Sequence, residues 1–284
     1  MTPSVLQLTT LRLQNHGIPE ELPLKAVEKG KVFWDLPESK KLESALLSSN
    51  IDPVNRGDLH EGYEIGWEEK NGNSGVREGD GAMSGQNVWP ADMPDFRVAA
   101  LDYYHAAMKL GQALFPLFAL ALNLPEDFFD DKTTKPAAIL RVLHYPPQTG
   151  VVDDRAVGIG AHTDFECFTI LWQDENPALQ VLNNQGKWIN AIPIPGTLVV
   201  NLGDQLARWT NDVFKSTVHR AINRTGVRRY SIPLFFGTDY DVTLEALPSC
   251  VSEDRPAKYE PVKAGDYVQS RLATTYAHSV TTKA

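Results

Sequence analysis

From Ala137 to Gly237 the chain is a succession of short runs rich in Val, Ile, Phe and Trp, and this pattern limits the possible folds more than any other feature. The runs are AAILRVLHY, FTILWQ, ALQVLN, KWINAI, TLVVNLG, STVHRAI and RYSIPLFFG. Each has strand length, turn residues separate them, and Asn183-Asn184-Gln185-Gly186 carries a hairpin signal. Many short strands in succession predict a β-sandwich or barrel, in which alternate residues point inward. A jelly roll, or double-stranded β-helix, is the leading architecture, giving a mainly β fold with flanking helices.

Residues 1–136 read as a helical N-terminal region. The stretch EELPLKAVEKGKVFWDLPESKKLESALL mixes charged and apolar residues, and Pro23 and Pro37 would bound or join two helices. Between about 50 and 95 the chain is loop-like, rich in Gly, Asn, Asp and Pro, with Tyr63, Trp67 and Trp89 among its aromatics. Leu101, Tyr104, Met108, Gly111, Phe115, Phe118 and Leu122 then form the stripe of a long packed helix, with Pro116 as a site for a kink. A C-terminal helix near YVQSRLATTY completes a core of residues 137–284. At 284 residues one hydrophobic core still serves, so the two regions are expected to form one structural unit.

The net charge of −9 argues against nucleic acid and anionic membrane as partners and leaves a small-molecule substrate as the default. Cys167 and Cys250 are too few and too distant for a disulfide framework or a thiolate metal site. The opening residues lack a secretory pattern, and no run approaches the length of a membrane span. A soluble cytoplasmic protein is expected, of undetermined oligomeric state.

In GIGAHTDFECFTILWQD, His162 and Asp164 stand two apart, a spacing that turns both side chains to one side of an extended segment. Alone, such a triplet arises often by chance and reads more readily as a polar turn before a strand. His219 in KSTVHRAI offers a third ligand, although a lone strand histidine is usually structural. In the next run Arg229 and Ser231 again share one face, and a cation aimed into a barrel needs an anionic partner. Two histidines and a carboxylate on one face of iron leave three adjacent coordination positions open, the arrangement of non-haem Fe(II) oxygenases. Two can take a chelating 2-oxo acid and one dioxygen. A guanidinium and a hydroxyl suit the far carboxylate of such an acid.

The sequence resembles the isopenicillin N synthase-like family of 2-oxoglutarate and iron(II)-dependent dioxygenases. His162/Asp164, His219 and Arg229/Ser231 match the family's His-X-Asp, distal His and Arg-X-Ser in order. NHGIP, RVLHYPP, GKWINAIPIPGTLVVNLGD, RWTND and KSTVHR resemble its core, and FWDLPESKK and ALNLPEDFF its helical part. NRG, YEIG, NVWP and RLATTY are similar to fungal members that include thymine hydroxylases.

The resemblance implies His162, Asp164 and His219 as iron ligands and Arg229 and Ser231 as the 2-oxoglutarate clamp. It also implies a contact from Tyr145 to the oxo acid, with a barrel-lining role the alternative, since Leu143 stands where many plant members carry asparagine. Asn201 and Asp204 match family residues with a turn or supporting role. Phe168, Trp172 and Trp209 are candidates to border the substrate cavity, with core packing the alternative. His16, His60, His105, His144 and His278 lack partners at ligand spacing. The implied reaction consumes Fe(II)-bound 2-oxoglutarate and O2, releases succinate and CO2, and hydroxylates a small heterocycle or secondary metabolite.

The chain reaches Asn15-His16-Gly17 sooner than its family does, which puts a barrel-supporting strand in question and makes the N-terminal region look truncated. Two alternatives therefore stand beside the main reading: a catalytically weak metal or oxo-acid binder of the same fold, and an oxidase whose Arg-X-Ser pair holds a substrate carboxylate instead of 2-oxoglutarate.

Overall fold

The computed structural model describes residues 10–42, 58–70, 85–148 and 158–281. Two antiparallel sheets carry the fold. The larger runs in the order β1 (Thr10–Gln14), β8 (Thr197–Leu202), β5 (Phe168–Gln173), β10 (Arg229–Phe236), β3 (Ala138–Tyr145) and β2 (Glu61–Ile65). The smaller runs β4 (Ile159–His162), β9 (His219–Ala221), β6 (Leu179–Leu182) and β7 (Trp188–Asn190). This is the expected jelly roll, and the hairpin falls between β6 and β7, where Gly186 adopts a positive φ of 70°.

Period-two alternation divides the larger sheet into two chemistries. On β10, Arg229, Ser231, Pro233 and Phe235 line a cavity shared with the smaller sheet, whereas Tyr230, Ile232, Leu234 and Phe236 enter the hydrophobic core on the other face. On β5, Thr169 and Leu171 face the cavity while Phe168 and Ile170 face the core. On β3, Leu143 and Tyr145 face the cavity while Leu140 and Val142 face the core.

Helices α1 (Glu21–Trp34) and α3 (Pro94–Ala121) cover that core face, joined by the short α2 (Glu38–Lys41), α4 (Asp204–Trp209) and the C-terminal α5 (Ala264–Thr281). Pro23 sits within the first turn of α1, where its missing N–H costs nothing, and α3 continues through Pro116. Phe33, Phe96, Phe115 and Phe118 from the helices and Phe168 and Phe236 from the sheet belong to one core, which runs unbroken across position 137. Close approach is set by small residues. A Cβ on Gly30 would lie 3.1 Å from the Phe96 ring, and one on Gly111 only 2.7 Å from the Phe236 ring.

The reading of residues 1–136 as helical needs correcting, because β1 and β2 form both edges of the larger sheet. β1, just ahead of Asn15-His16-Gly17, pairs Leu11 and Leu13 with Val200 and Leu198, so that edge does carry a strand. β2, EGYEI, lies within the stretch read as loop. Its Tyr63 and Ile65 are fully buried while Glu61 and Glu64 carry ion pairs, so two charges in five residues hide the alternation.

Gly111→Ala gains up to about 1 kcal/mol in helix propensity but forces an overpacking cost of about 1–3 kcal/mol against Phe236. Urea unfolding should therefore show a net loss of stability. An unchanged or higher midpoint would mean that α3 does not sit this close to β10.

Candidate metal centre

His162 ends β4 and His219 opens β9, and the two are directly opposed in the ladder, their ring centroids 4.3 Å apart. Asp164 follows β4 by two residues and is buried. Its Oδ1 lies 3.6 Å from His162 Nε2 and 3.7 Å from His219 Nε2, and among the described residues this trio is the one group of His, Cys, Asp and Glu side chains close enough to share a metal ion.

Each ligand atom is freed by what its sister atom does. His162 Nδ1–H donates to the Gly160 carbonyl at 2.7 Å and His219 Nδ1–H to that of Thr217 at 3.0 Å, which fixes both tautomers with Nε2 as the lone-pair nitrogen. Asp164 Oδ2 accepts from the Thr169 hydroxyl at 2.5 Å and from Asn201 Nδ2 at 2.6 Å, leaving Oδ1 for the centre. Thr169 and Asn201 face each other across β5 and β8. Asn201 thus has the supporting role its sequence context gave it, whereas Thr169 went unremarked because a threonine in a strand carries no signal of its own. Asp204 works further out: its carboxylate accepts from Thr163 and Tyr267, tying the loop after His162 to α5.

Arg229 and Ser231 open onto the same small cavity as the trio, about 60 Å³ in volume. Arg229 is 1% exposed and, among the described residues, has no carboxylate in direct contact, although Asp174 lies near enough for the guanidinium to favour its ionised form. Its guanidinium donates to the Asn176 carbonyl, Gln173 Oε1 and Ser231 Oγ at 3.2–3.4 Å and lies 4.6 Å over the Tyr145 ring. Neutral acceptors of this kind only partly offset the burial of a full charge. Tyr145 lines the cavity beside it.

The three aromatic candidates do not border this space. Phe168 and Trp172 have the opposite parity on β5 to Thr169, and both pack into the core under the helices. Trp209, on α4, lies against Phe129 in that core with ring centroids 5.1 Å apart. The cavity wall is instead aliphatic, from Leu143, Leu171 and Leu179, with Arg141, Arg220 and Phe235 also lining it. His16, His60, His105 and His144 stay outside the cavity, and the side chain of His278 lies outside the described residues.

Comparison with known proteins agrees with this geometry. Residues 136–238 match the model of the 2OG-Fe(II) oxygenase superfamily. The chain is 38% identical to the 2-oxoglutarate-Fe(II) type oxidoreductase hxnY of Emericella nidulans, over 93% of this chain and 80% of hxnY. The chain belongs to the 2-oxoglutarate–Fe(II) oxygenases. The oxidoreductase ppzC of Metarhizium rileyi is 47% identical over 66% of this chain, which spans about half of ppzC's length (52%). A full-length Neurospora crassa protein, solved in complex with α-ketoglutarate (2-oxoglutarate) and thymine, superposes with a TM-score of 0.79 at 30% identity, covering 94% of this chain and 87% of that one. The protein is thus an oxidoreductase that uses Fe(II), 2-oxoglutarate and O2 on a small molecule. The oxidase alternative, which leaves 2-oxoglutarate unused, falls away.

Asn201→Ala removes one of two donors from a buried carboxylate, and loss of such a support typically weakens metal binding about 10- to 100-fold. Isothermal titration of the apoprotein with a divalent metal should show this, and wild-type affinity would remove Asn201 from the support. The apoprotein should also lose stability in acid. Burial depresses His60 and His162 from 6.5 to about 4, so the unfolded chain binds two more protons in that window. Glu166, raised by burial and by Asp164 to about 7, opposes them with one. Burial depresses His16, His105 and His144 in the same direction, so the unfolded chain takes up more protons than the folded one and unfolding free energy should fall as the pH drops from about 6 to 5. Urea titrations at those two values test it, and a flat profile would mean that these imidazoles are not buried neutral.

Proposed function

We propose that His162 Nε2, Asp164 Oδ1 and His219 Nε2 hold the iron, and that Arg229 and Ser231 bind the far carboxylate of 2-oxoglutarate. The reaction is hydroxylation of a small organic molecule seated against the aliphatic wall. One observation carries the reading: a buried guanidinium with no carboxylate in direct contact among the described residues opens onto the same cavity as three ligand atoms left free by their neighbours' hydrogen bonds.

The donor set fits. Two neutral imidazoles and one carboxylate oxygen suit Fe(II) and leave positions for a chelating oxo acid and dioxygen. Iron with 2-oxoglutarate and O2 supplies the oxidative chemistry that yields succinate, CO2 and the hydroxylated product. The chain's own residues bind and orient. Arg229 forks onto the carboxylate as Ser231 Oγ–H donates to it, and Tyr145, stacked on the guanidinium, walls the acid on one side. Leu143, Leu171 and Leu179 keep water from the reacting carbon. None of the trio acts as an acid or base. A reducing, cytoplasmic setting goes with this reading, supported by two free, buried cysteines. The acidic surface favours a free small molecule over nucleic acid or membrane as substrate.

Mixing the protein anaerobically with Fe(II) and 2-oxoglutarate should produce the weak visible charge-transfer band of the chelate, and O2 with a substrate panel should yield succinate. His219→Ala should abolish both, and retained turnover would remove His219 from the centre. Arg229→Met should weaken 2-oxoglutarate binding about 30-fold or more, the equivalent of about 2 kcal/mol or more for a buried charged partner. The same variant should change the stability of the apoprotein by no more than about 1–2 kcal/mol, because relief of a buried charge that no carboxylate contacts directly offsets the hydrogen bonds it loses. A large loss of stability would mean that the guanidinium is there for structure.

A further inference from the structure

We infer that Asp58 and His60 are positioning residues, a side-chain strap along the open edge of β4 that sets both His162 and Tyr145. The inference rests on the reading of His162 as a metal ligand.

β4 is an end strand of the smaller sheet, so one of its edges has no neighbouring strand among the described residues. Its register with β9 shifts between Ile159 and His162, and such a bulge leaves local backbone groups outside the ladder while re-aiming a side chain. The groups concerned are accounted for. Gly158 N–H stays in the ladder, donating to Ala221 O at 2.8 Å. Gly158 C=O accepts from His60 Nδ1–H at 2.8 Å, and Gly160 N–H donates to Asp58 Oδ1 at 2.9 Å. Gly160 C=O then accepts from His162 Nδ1–H, the bond that fixes the ligand's tautomer and ring angle. Asp58 therefore holds the residue that holds the ligand.

The strap also reaches the oxo-acid side. A Cβ on Gly158 would lie 2.6 Å from the Tyr145 ring, so this glycine lets the ring rest on the backbone that His60 anchors. His60 itself lies 5.9 Å from that ring, centroid to centroid, and Arg229 stacks on it. Asp58 and His60 are each 6% exposed, and Glu61, which follows directly, begins β2 on the larger sheet. The segment thus bridges the edges of the two sheets at the point where the metal and oxo-acid sites meet. Buried polar side chains of this kind are costly unless their bonds are used, and here both serve one strand.

Co(II) binding to the apoprotein, read from its d–d absorption, tests the strap without turnover, and 2-oxoglutarate is then titrated into the Co(II) protein. Asp58→Ala should weaken Co(II) binding about 10- to 100-fold and alter the spectrum, while Asp58→Asn, which keeps the accepting oxygen, should stay within about threefold of wild type. His60→Ala should weaken 2-oxoglutarate binding. Leu59→Ala, at an exposed side chain between the two, should change neither. If Asp58→Ala does not fold, Asp58→Glu, which displaces the oxygen by one methylene, must show the same loss. Wild-type affinity and spectrum in the Asp58→Ala variant, or equal impairment of the Asn and Ala variants, would overturn the proposal. His162→Ala, run in parallel, separates the two readings. If it loses Co(II) while Asp58→Ala does not, only the strap falls; if it keeps wild-type binding, the metal site itself is wrong and the strap falls with it.

Discussion

Everything at the centre of this protein depends on one buried carboxylate remaining ionised. Burial works against the charge on Asp164, yet the two imidazoles and the donors Thr169 and Asn201 outweigh it and hold the group below the usual carboxylate range. The donors occupy Oδ2, so the charge is directed through Oδ1 toward both His Nε2 atoms. Each of those partners comes from a different strand, and the two sheets must come together before the arrangement exists.

The neighbouring guanidinium obeys a different rule. Arg229 is buried among neutral acceptors and an aromatic face, with the Asp174 carboxylate near but out of direct contact, a situation that only partly offsets the cost of burying its charge. If Arg229 binds 2-oxoglutarate as proposed, the protein trades folding free energy for binding, as functional sites commonly do. The larger sheet can carry this cost because its other face is a continuous aromatic and aliphatic core, pressed against α3 through Gly111, with α1 packed close on α3 through Gly30. One sheet therefore supplies stability from one face and chemistry from the other.

Each of the seven strand-length runs from Ala137 onward forms a strand, six of them in mid-sheet, where burial displays an apolar run plainly, and KWINAI as the end strand β7, marked by the hairpin before it. The edges were harder to read. β1 and β2 are five residues each and pair on one side only, and β2 spends two positions on Glu61 and Glu64. For Phe168 and Trp172 the core-packing alternative is the one the structure has, and their parity opposite to Thr169, which touches Asp164, is the reason. The alternation in FTILWQ separates Phe168, Ile170 and Trp172 from Thr169, Leu171 and Gln173, but without that contact it does not say whether the apolar set faces the helix-covered core or the other sheet.

The sequence by itself determined the ligand types, their order and the spacing that turns His162 with Asp164, and Arg229 with Ser231, to common sides, because local backbone periodicity fixes the relative direction of residues two apart. Only the tertiary structure decided which oxygen of Asp164 is free, that His162 and His219 are ladder partners, and that Asp58 and His60 reach β4 from about 100 residues away in the chain. Those facts depend on hydrogen bonds between segments far apart in sequence, and no local pattern encodes them.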